Sequence, residues 1–160
     1  MQTFAATTLF ERLRLLLGPQ LEAGGLRWQI EAPPEILVRA DPQQLEQVLI
    51  NLVQNAADNT PRGGCITLRA RTHQGRLPSG TAPGTVFEVT DTGKGIAPEV
   101  EKRLFDPFFS TKPTGSGLGL SIAARIVHQH GGSIQHQTSV GHGTTFTVIL
   151  PGRAKGQLVT

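Results

Sequence analysis

Apolar residues recur at helical spacing in three segments of this sequence. The first segment lies within residues 1–25, which we expect to form a short strand and then a helix, and Gly18 and Pro19 interrupt its apolar repeat. The third segment covers residues 120–130 and stops at Gly131 and Gly132. The apolar members of these two segments are Leu9, Leu13, Leu16 and Leu17 in the first, and Ile122, Ala123, Ile126 and Val127 in the third.

The middle segment has the strongest helix start. Asp41 is a favoured N-cap residue, Pro42 suits the first helical position, and Gln44 occupies the capping-box position. The pattern predicts an amphipathic helix with one buried face. That face consists of Leu45, Val48, Leu49, Leu52, Val53 and Ala56.

Alternation of apolar and polar residues predicts the strands. Residues 65–72 and 85–90 are predicted to be antiparallel neighbours, joined by a loop rich in Gly, Pro and Ser. The Gly-His-Gly turn at residues 141–143 predicts that the last two strands form a hairpin. The predicted strands cover residues 26–31, 36–40, 65–72, 85–90, 133–138 and 144–150, with a short helix at 98–104.

Composition narrows the class of protein. A chain of 160 residues with 38% hydrophobic residues is enough for one domain that buries about two-thirds of its unfolded surface. The net charge of +3 comes from scattered basic residues, with no Tyr and one Trp, so we expect no nucleic-acid partner. Apolar runs are shorter than a membrane span and no leader pattern opens the chain, so no direct membrane contact is expected. The single Cys65 fits a reducing, cytoplasmic environment.

The first candidate site is the Asp-Thr-Gly-Lys-Gly-Ile motif at residues 91–96, which follows a predicted strand. Gly93 and Gly95 lack the side chains that would keep a planar ligand away from the backbone. Asp91 can accept a hydrogen bond from an exocyclic amine such as that of adenine. The same pattern also makes ordinary turns, so the choice depends on the other motifs.

Asparagine provides a second signal. The sequence has three asparagines, at positions 51, 55 and 59, and all lie in the middle helix. Asparagine is a poor helix former, and a merely solvated face would use Glu, Lys or Gln. Amide oxygens suit a hard cation, which prefers oxygen ligands, and this interpretation is favoured.

A glycine-rich loop precedes the third helix. Gly115, Gly117 and Gly119 alternate just before the helical run, so backbone N–H groups at the helix N-terminus can face an anion. The alternative is a flexible surface loop. Lys112 in the same loop favours a phosphate, although the spacing is not that of a Walker motif.

Together, in this order, the motifs resemble the catalytic ATP-binding domain of sensor histidine kinases, in the superfamily of gyrase B, Hsp90 and MutL. The resemblance implies a catalytic domain at residues 1–152 and a frayed tail at 153–160. The short lid resembles the nitrogen-regulator type. The matching segments are an N box at 41–60, a G1 box at 91–96, an F box at 104–109, a lid at 110–117, a G2 box at 115–121 and a last glycine motif at 141–146.

The resemblance also implies the fold and the ligands. The expected fold is an α/β (α+β) two-layer sandwich, the Bergerat ATP-binding fold, with a mixed five-stranded sheet covered on one face by about three helices. ATP and Mg²⁺ are the expected cofactors, with Asn55 as the metal ligand. Asp91 is expected to bind the adenine amine, and Thr144 is expected to contact the same edge of the adenine ring through water. The implied ATP-binding residues are Asn51, Asn55, Asp58, Asp91, Gly93, Gly95, Ile96, Thr111, Lys112, Ser116, Gly117, Leu118, Gly119, Leu120 and Thr144.

Asn51 and Lys112 are the implied catalytic residues. Hydrolysing members of the superfamily have a glutamate at the position of Asn51, and an asparagine cannot act as a general base. The resemblance therefore implies phosphoryl transfer to another nucleophile, with Lys112 as the nearby cation. Asp58, where many members have Lys or Arg, is expected to hold a metal-bound water.

The expected acceptor is a histidine outside this chain. None of the histidines, at 73, 128, 130, 136 and 142, has the sequence context of a phosphoaccepting histidine. His128 and His130 end a helix, where histidines that satisfy backbone groups are ordinary. The expected partners are a dimerisation helical hairpin, which this chain lacks, and the receiver domain of a response regulator. We expect the isolated domain to be monomeric and cytoplasmic, and membrane anchoring of its parent kinase stays open. A Ser/Thr kinase of the anti-sigma-factor type and a non-catalytic nucleotide-binding module are the alternatives.

Overall fold

The structure is a computed structural model that describes residues 1–73, 84–108 and 118–152. No helix within these ranges is both long enough and apolar enough to cross a membrane. The elements in chain order are β1 (Gln2–Ala5), α1 (Ala6–Ala23), β2 (Arg27–Glu31), β3 (Leu37–Ala40), α2 (Pro42–Asn59), β4 (Cys65–Thr72), β5 (Thr85–Asp91), α3 (Pro98–Glu101), α4 (Gly119–Gln129), β6 (Ser133–Ser139) and β7 (Gly143–Leu150).

The main sheet is mixed and has five strands in the order β2-β4-β5-β7-β6. β2 runs parallel to β4, and the other neighbouring strands are antiparallel. The predicted β4–β5 and β6–β7 pairings and the predicted mixed five-stranded sheet are confirmed. A second, two-stranded sheet of β1 and β3 was not predicted.

One face of the main sheet carries the core. The strand register aligns Leu68, Val89 and Phe146 across β4, β5 and β7, and each of these side chains is at most 1% exposed. Residues of α1, α2 and α4 belong to the same buried cluster. The helices therefore cover the face on which these three residues lie.

The start and the buried face of α2 confirm the prediction. The Asp41 carboxylate accepts hydrogen bonds from the backbone N–H groups of Gln43 and Gln44, at 3.0 and 3.1 Å, and Pro42 opens the helix. All six predicted apolar residues of this helix are buried. This helix is the one that carries the asparagines.

The predicted strand and helix within residues 1–25 are confirmed, and the interruption of the apolar repeat at Gly18 and Pro19 does not end α1, which continues to Ala23 with Pro19 inside it. A proline within a helix costs up to about 3 kcal/mol. Burial of Leu21, which is 1% exposed, offsets a comparable amount, since burying a leucine contributes about 1.5–3 kcal/mol. Leu16 is 52% exposed rather than part of the buried face.

A histidine links the end of α4 to the start of α2. The buried His130 ring accepts a hydrogen bond at Nε2 from the backbone N–H of Asp41, at 3.2 Å. The proton of the neutral ring is therefore on Nδ1, which donates to the carbonyl oxygen of Ile126 at 2.9 Å. The prediction that this histidine satisfies backbone groups is confirmed.

Candidate functional site

A row of polar side chains ends the apolar inner face of the sheet. The register places Asp91 opposite Thr144, and Thr144 opposite Thr138, across β5, β7 and β6. Asp91 is 2% exposed and Thr144 is 3% exposed. A carboxylate is rarely buried this deeply without a reason, because it must lose its hydration. This row is the candidate site.

Asp91 is held by two hydrogen bonds on one oxygen. Its Oδ1 atom accepts from the backbone N–H of Gly93 at 2.8 Å and from that of Thr144 at 3.3 Å. Burial raises the pKa of the Asp91 carboxyl, and these two N–H groups oppose part of that rise. Within the described ranges no donor contacts Oδ2, so that oxygen can accept a hydrogen bond from a ligand.

The glycines that follow Asp91 permit close backbone packing. A Cβ atom at Gly93 would overlap the carbonyl oxygen of Asn59, at the end of α2. One at Gly95, whose φ is +77°, would overlap the carbonyl oxygen of Ser139 on β6. The glycines therefore allow residues 91–96 to pack closely against α2 and β6. This steric role differs from the one inferred from the sequence, in which the glycines give a planar ligand access to the backbone.

Asn55 supplies an unpaired amide near this loop. It lies on α2 one turn before Asn59, whose carbonyl oxygen accepts a hydrogen bond from Lys94 N–H at 3.2 Å. The Asn55 side-chain nitrogen is buried and has no partner among the described residues. Such an orphaned group in a native fold calls for an explanation, and an additional ligand is one.

Asn51 joins α2 to the start of α4. Its amide nitrogen donates to the carbonyl oxygen of Gly119 at 2.9 Å, and its amide oxygen accepts from the Gln47 side chain at 2.7 Å. An asparagine can make both contacts because it carries a donor and an acceptor, whereas a carboxylate at this position has no donor for Gly119. The side chain therefore has a structural role in holding α4.

The N-terminus of α4 can present backbone N–H groups to a ligand. Its N-cap residue, Leu118, makes no side-chain capping hydrogen bond. The first backbone N–H groups of a helix have no partner inside the helix. The predicted phosphate-binding residues Gly119 and Leu120 are the first two of this helix, so their N–H groups are suited to an anion.

The other predicted residues are distributed as follows. Ile96 is buried and its backbone N–H donates to the Thr138 hydroxyl at 2.8 Å. Asp58 is exposed on α2. The predictions for Thr111, Lys112, Ser116 and Gly117, and for the lid at 110–117, fall outside the described residues.

The described part of the predicted F box is anchored to β6 and β7. The Phe105 ring packs against His136 and Phe146, with ring centroids 5.8 and 6.3 Å apart. His136 also contacts Glu101 of α3, with 2.8 Å between Nε2 and Oε2. These contacts place the segment after α3 beside the polar row.

Sequence reasoning missed Thr138. Its hydroxyl group contacts both Ile96 and Thr144, the latter at 2.9 Å. The predicted hairpin around residues 141–143 contained the necessary signal, because its register places Thr138 opposite Thr144. A polar residue on the inward face of a predicted strand was the available indication.

The described residues contain no group of three or more His, Cys, Asp or Glu side chains that could hold a metal ion. The Asn55 side-chain oxygen is of the type that hard cations prefer as a ligand.

The first prediction concerns stability and pH. Because burial raises the pKa of Asp91, the folded state keeps a proton at pH values where the unfolded chain has lost it. This contribution is full below the unfolded pKa and is lost as the pH rises through the folded pKa. Asp91→Asn retains an acceptor for both N–H groups and has no charge to bury. We expect the free energy of unfolding of Asp91→Asn, relative to wild type, to increase as the pH rises from about 3 to about 7.

Urea denaturation across this pH range measures the difference. The exposed Asp106, in Asp106→Asn, is the matched control, and its difference from wild type should stay nearly constant. A difference at position 91 that shrinks or reverses with rising pH would show that the fold stabilises the carboxylate rather than penalising it.

Comparison with known proteins gives a family. The model of the family described as histidine kinase-, DNA gyrase B-, and HSP90-like ATPase matches residues 40–154. The chain is 47% identical over 125 residues to the sensor kinase CckA of Brucella abortus, covering 71% of this chain and 13% of CckA. It is 43% identical over 120 residues to the sensor histidine kinase ZraS of Salmonella typhi, covering 75% of this chain and 24% of ZraS. The chain thus spans a quarter or less of these relatives.

Solved structures agree with this assignment. The nucleotide-free catalytic domain of the histidine kinase ThkA matches with a TM-score of 0.78 and 30% identity, covering 94% of each chain. ThkA in complex with the response regulator protein TrrA matches with a TM-score of 0.77 and 27% identity, covering 98% of this chain and 43% of that one. The resemblance predicted from the motifs is confirmed. The chain belongs to the histidine kinase-, DNA gyrase B-, and HSP90-like ATPase family, in which it is a catalytic domain of the sensor histidine kinase type.

Proposed function

We propose that this domain binds ATP with Mg²⁺ and donates the γ-phosphate to a histidine on a separate dimerisation domain, for relay to a response regulator. The observation that carries the proposal is the buried Asp91 carboxylate, which has one oxygen held by the backbone and the other open to a ligand. A charged group kept at a cost in hydration is typical of a binding site.

Asp91 suits adenine in particular. Its Oδ2 atom can accept the N6–H of adenine, whereas guanine has an oxygen at the same position of the ring. With guanine, Asp91 Oδ2 and the guanine oxygen would face each other, and both acceptors would lack a hydrogen-bond donor. A site discriminates between ligands more strongly by leaving buried polar groups unpaired than by a difference in apolar contacts. The buried Ile96, next along the loop, adds an apolar wall against which a base can pack.

Asn55 suits a cation bound to the phosphates. Its amide oxygen is a hard ligand, and its buried, unpaired nitrogen is consistent with a site completed by a ligand. When bound, Mg²⁺ would neutralise charge that develops on the phosphate oxygens. The N–H groups of Gly119 and Leu120, which lack a side-chain cap, are the proposed phosphate contacts on the protein side. Lys112, Thr111, Ser116 and Gly117 remain proposed contacts from the adjoining loop.

Asn51 favours transfer over hydrolysis. An asparagine has no basic lone pair with which to activate water. Both ends of this side chain are also occupied, by Gln47 and by Gly119, so it is not poised to orient a water molecule. We infer that the site holds ATP until another nucleophile arrives.

The partners follow from the relatives. CckA and ZraS are sensor kinases, and ThkA has been solved with a response regulator. We propose that this domain acts in the same way, on a dimerisation helical hairpin and, through it, on a receiver domain in the cytoplasm. The Ser/Thr kinase alternative has no observation in its favour.

The second prediction tests the ligand assignment. We expect calorimetric titration to show that the wild type binds ADP and ATP more tightly with Mg²⁺ than without it. Asp91→Asn should lose at least about tenfold in affinity, because the amide nitrogen that replaces Oδ2 is a donor and would face the N6 amino group of adenine, which is also a donor. Asn55→Ala should bind nucleotide without the Mg²⁺ dependence.

Gln54→Ala is the control for the metal ligand, because Gln54 is exposed on the same helix. It should behave as wild type. Wild-type protein that binds neither nucleotide, or a Gln54→Ala variant that loses Mg²⁺ dependence as Asn55→Ala does, would contradict the assignment.

The third prediction concerns Asn51. Asn51→Glu introduces a base and should raise the release of phosphate from ATP by about tenfold, less than the roughly 10²- to 10⁴-fold of a well-positioned base because the contact with Gly119 is lost. Asn51→Gln has the same length and no base, so its hydrolysis should match wild type. Equal hydrolysis by the two variants would refute the role given to this position.

A further inference from the structure

Thr138 connects three segments around the candidate site. Its hydroxyl oxygen accepts a hydrogen bond from the backbone N–H of Ile96 at 2.8 Å. The same oxygen lies 2.9 Å from the Thr144 hydroxyl and 3.4 Å from the carbonyl oxygen of Gly143. Thr138 is half-buried on β6, directly opposite Thr144 in the register. It is thus linked to the loop after Asp91 and to the start of β7.

Counting hydrogens limits the possible directions of these bonds. A threonine hydroxyl has one hydrogen and two lone pairs. The Ile96 N–H uses one lone pair of Thr138, so the Thr138 hydrogen goes either to Thr144 or to Gly143. The 2.9 Å contact with Thr144 lies within the usual range for hydroxyl groups, and the 3.4 Å contact with Gly143 lies beyond it. Either hydroxyl can be the donor in the 2.9 Å contact, so Thr138 can donate to Thr144.

This direction leaves the hydrogen of Thr144 free for a ligand. In the described part of the chain, Thr138 is the one hydrogen-bond partner of the Thr144 hydroxyl. The backbone N–H of Thr144 donates to Asp91 Oδ1, so the two residues are held side by side. The site then presents an acceptor, Asp91 Oδ2, next to a donor, the Thr144 O–H.

We propose that Thr138 is a positioning residue that sets the base selectivity of the site by orienting the Thr144 hydroxyl as a donor. This inference rests on the proposed nucleotide-binding function. The Watson–Crick edge of adenine presents a donor at N6 and an acceptor at N1, and that of guanine presents the reverse order. An acceptor from Asp91 beside a donor from Thr144, acting directly or through one water, matches adenine and opposes guanine.

The Ile96 contact gives Thr138 a second, purely structural effect. Ile96 is 7% exposed, so its N–H loses its acceptor in a buried position when the Thr138 hydroxyl is removed. A general loss of nucleotide affinity would therefore not distinguish orientation of Thr144 from support of the loop. The test needs a ligand that differs only at the atom that the Thr144 hydroxyl is proposed to recognise.

The fourth prediction uses ADP and its 1-deaza analogue, in which C–H replaces N1 and the 6-amino group is kept. Calorimetric titration of wild type should give a preference for ADP of about three- to tenfold, the value of one hydrogen bond. Thr138→Val should reduce that preference toward one, chiefly by weakening ADP. Thr138→Ser, which keeps the hydroxyl, should preserve it.

Thr90→Val is the matched control. The Thr90 hydroxyl lies 3.0 Å from that of Thr145, its partner across β5 and β7, and side-chain alternation places this pair on the opposite face of the sheet from Thr144. Its removal should leave the preference for ADP unchanged. Thr144→Val removes the proposed donor itself and should abolish the preference, which provides a test if Thr138→Val does not fold.

The outcomes distinguish failure of the role proposed for Thr138 from failure of the proposed nucleotide-binding function. If wild type binds ADP but Thr138→Val weakens both ligands equally, Thr138 only supports the loop and the inference is wrong. If Thr144→Val retains the preference, Thr144 is not the donor and the inference is also wrong. If wild type binds neither ligand, the proposed function fails and the inference fails with it.

Discussion

The structure around the site depends on keeping the Asp91 carboxylate out of water at the end of an apolar sheet face. Two backbone N–H groups on its Oδ1 offset part of the lost hydration, and they require the chain to turn tightly at Gly93 and to approach closely at β7. A Cβ atom at Gly143 would overlap the carbonyl oxygen of Asp91, and the φ of Gly143 is +96°. The glycine motifs on both sides of the site thus provide the backbone geometry that this one carboxylate needs.

The helices hold the rest of the site by contacts at both ends of α4. Asn51 bonds the first residue of α4, and His130, just after its last turn, bonds the backbone N–H of Asp41 at the start of α2. Both contacts use groups that carry a donor and an acceptor at once, the carboxamide and the neutral imidazole. The N-terminus of α4 is therefore fixed relative to Asn55, which the proposed phosphate and cation contacts require.

The sequence was sufficient where the signal is local. The Asp41 cap, the buried face of α2 and the two hairpins depend on neighbouring residues, and these predictions are confirmed. The continuation of α1 past Pro19 depends on burial of Leu21 against distant elements, which local helix signals did not reveal. Thr138 needed strand register, and the steric role of Gly93 needed the position of Asn59, so neither followed from a motif.

The most direct measurement of where the base binds is the change in backbone amide NMR signals of the uniformly ¹⁵N-labelled chain on addition of ADP and Mg²⁺. The amides of Gly93, Ile96 and Thr144 surround the Asp91 carboxylate and its loop, so the largest changes are predicted there and at Leu120 on α4. Changes confined to the outer face of the sheet, with these four amides unaffected, would contradict a nucleotide site at Asp91.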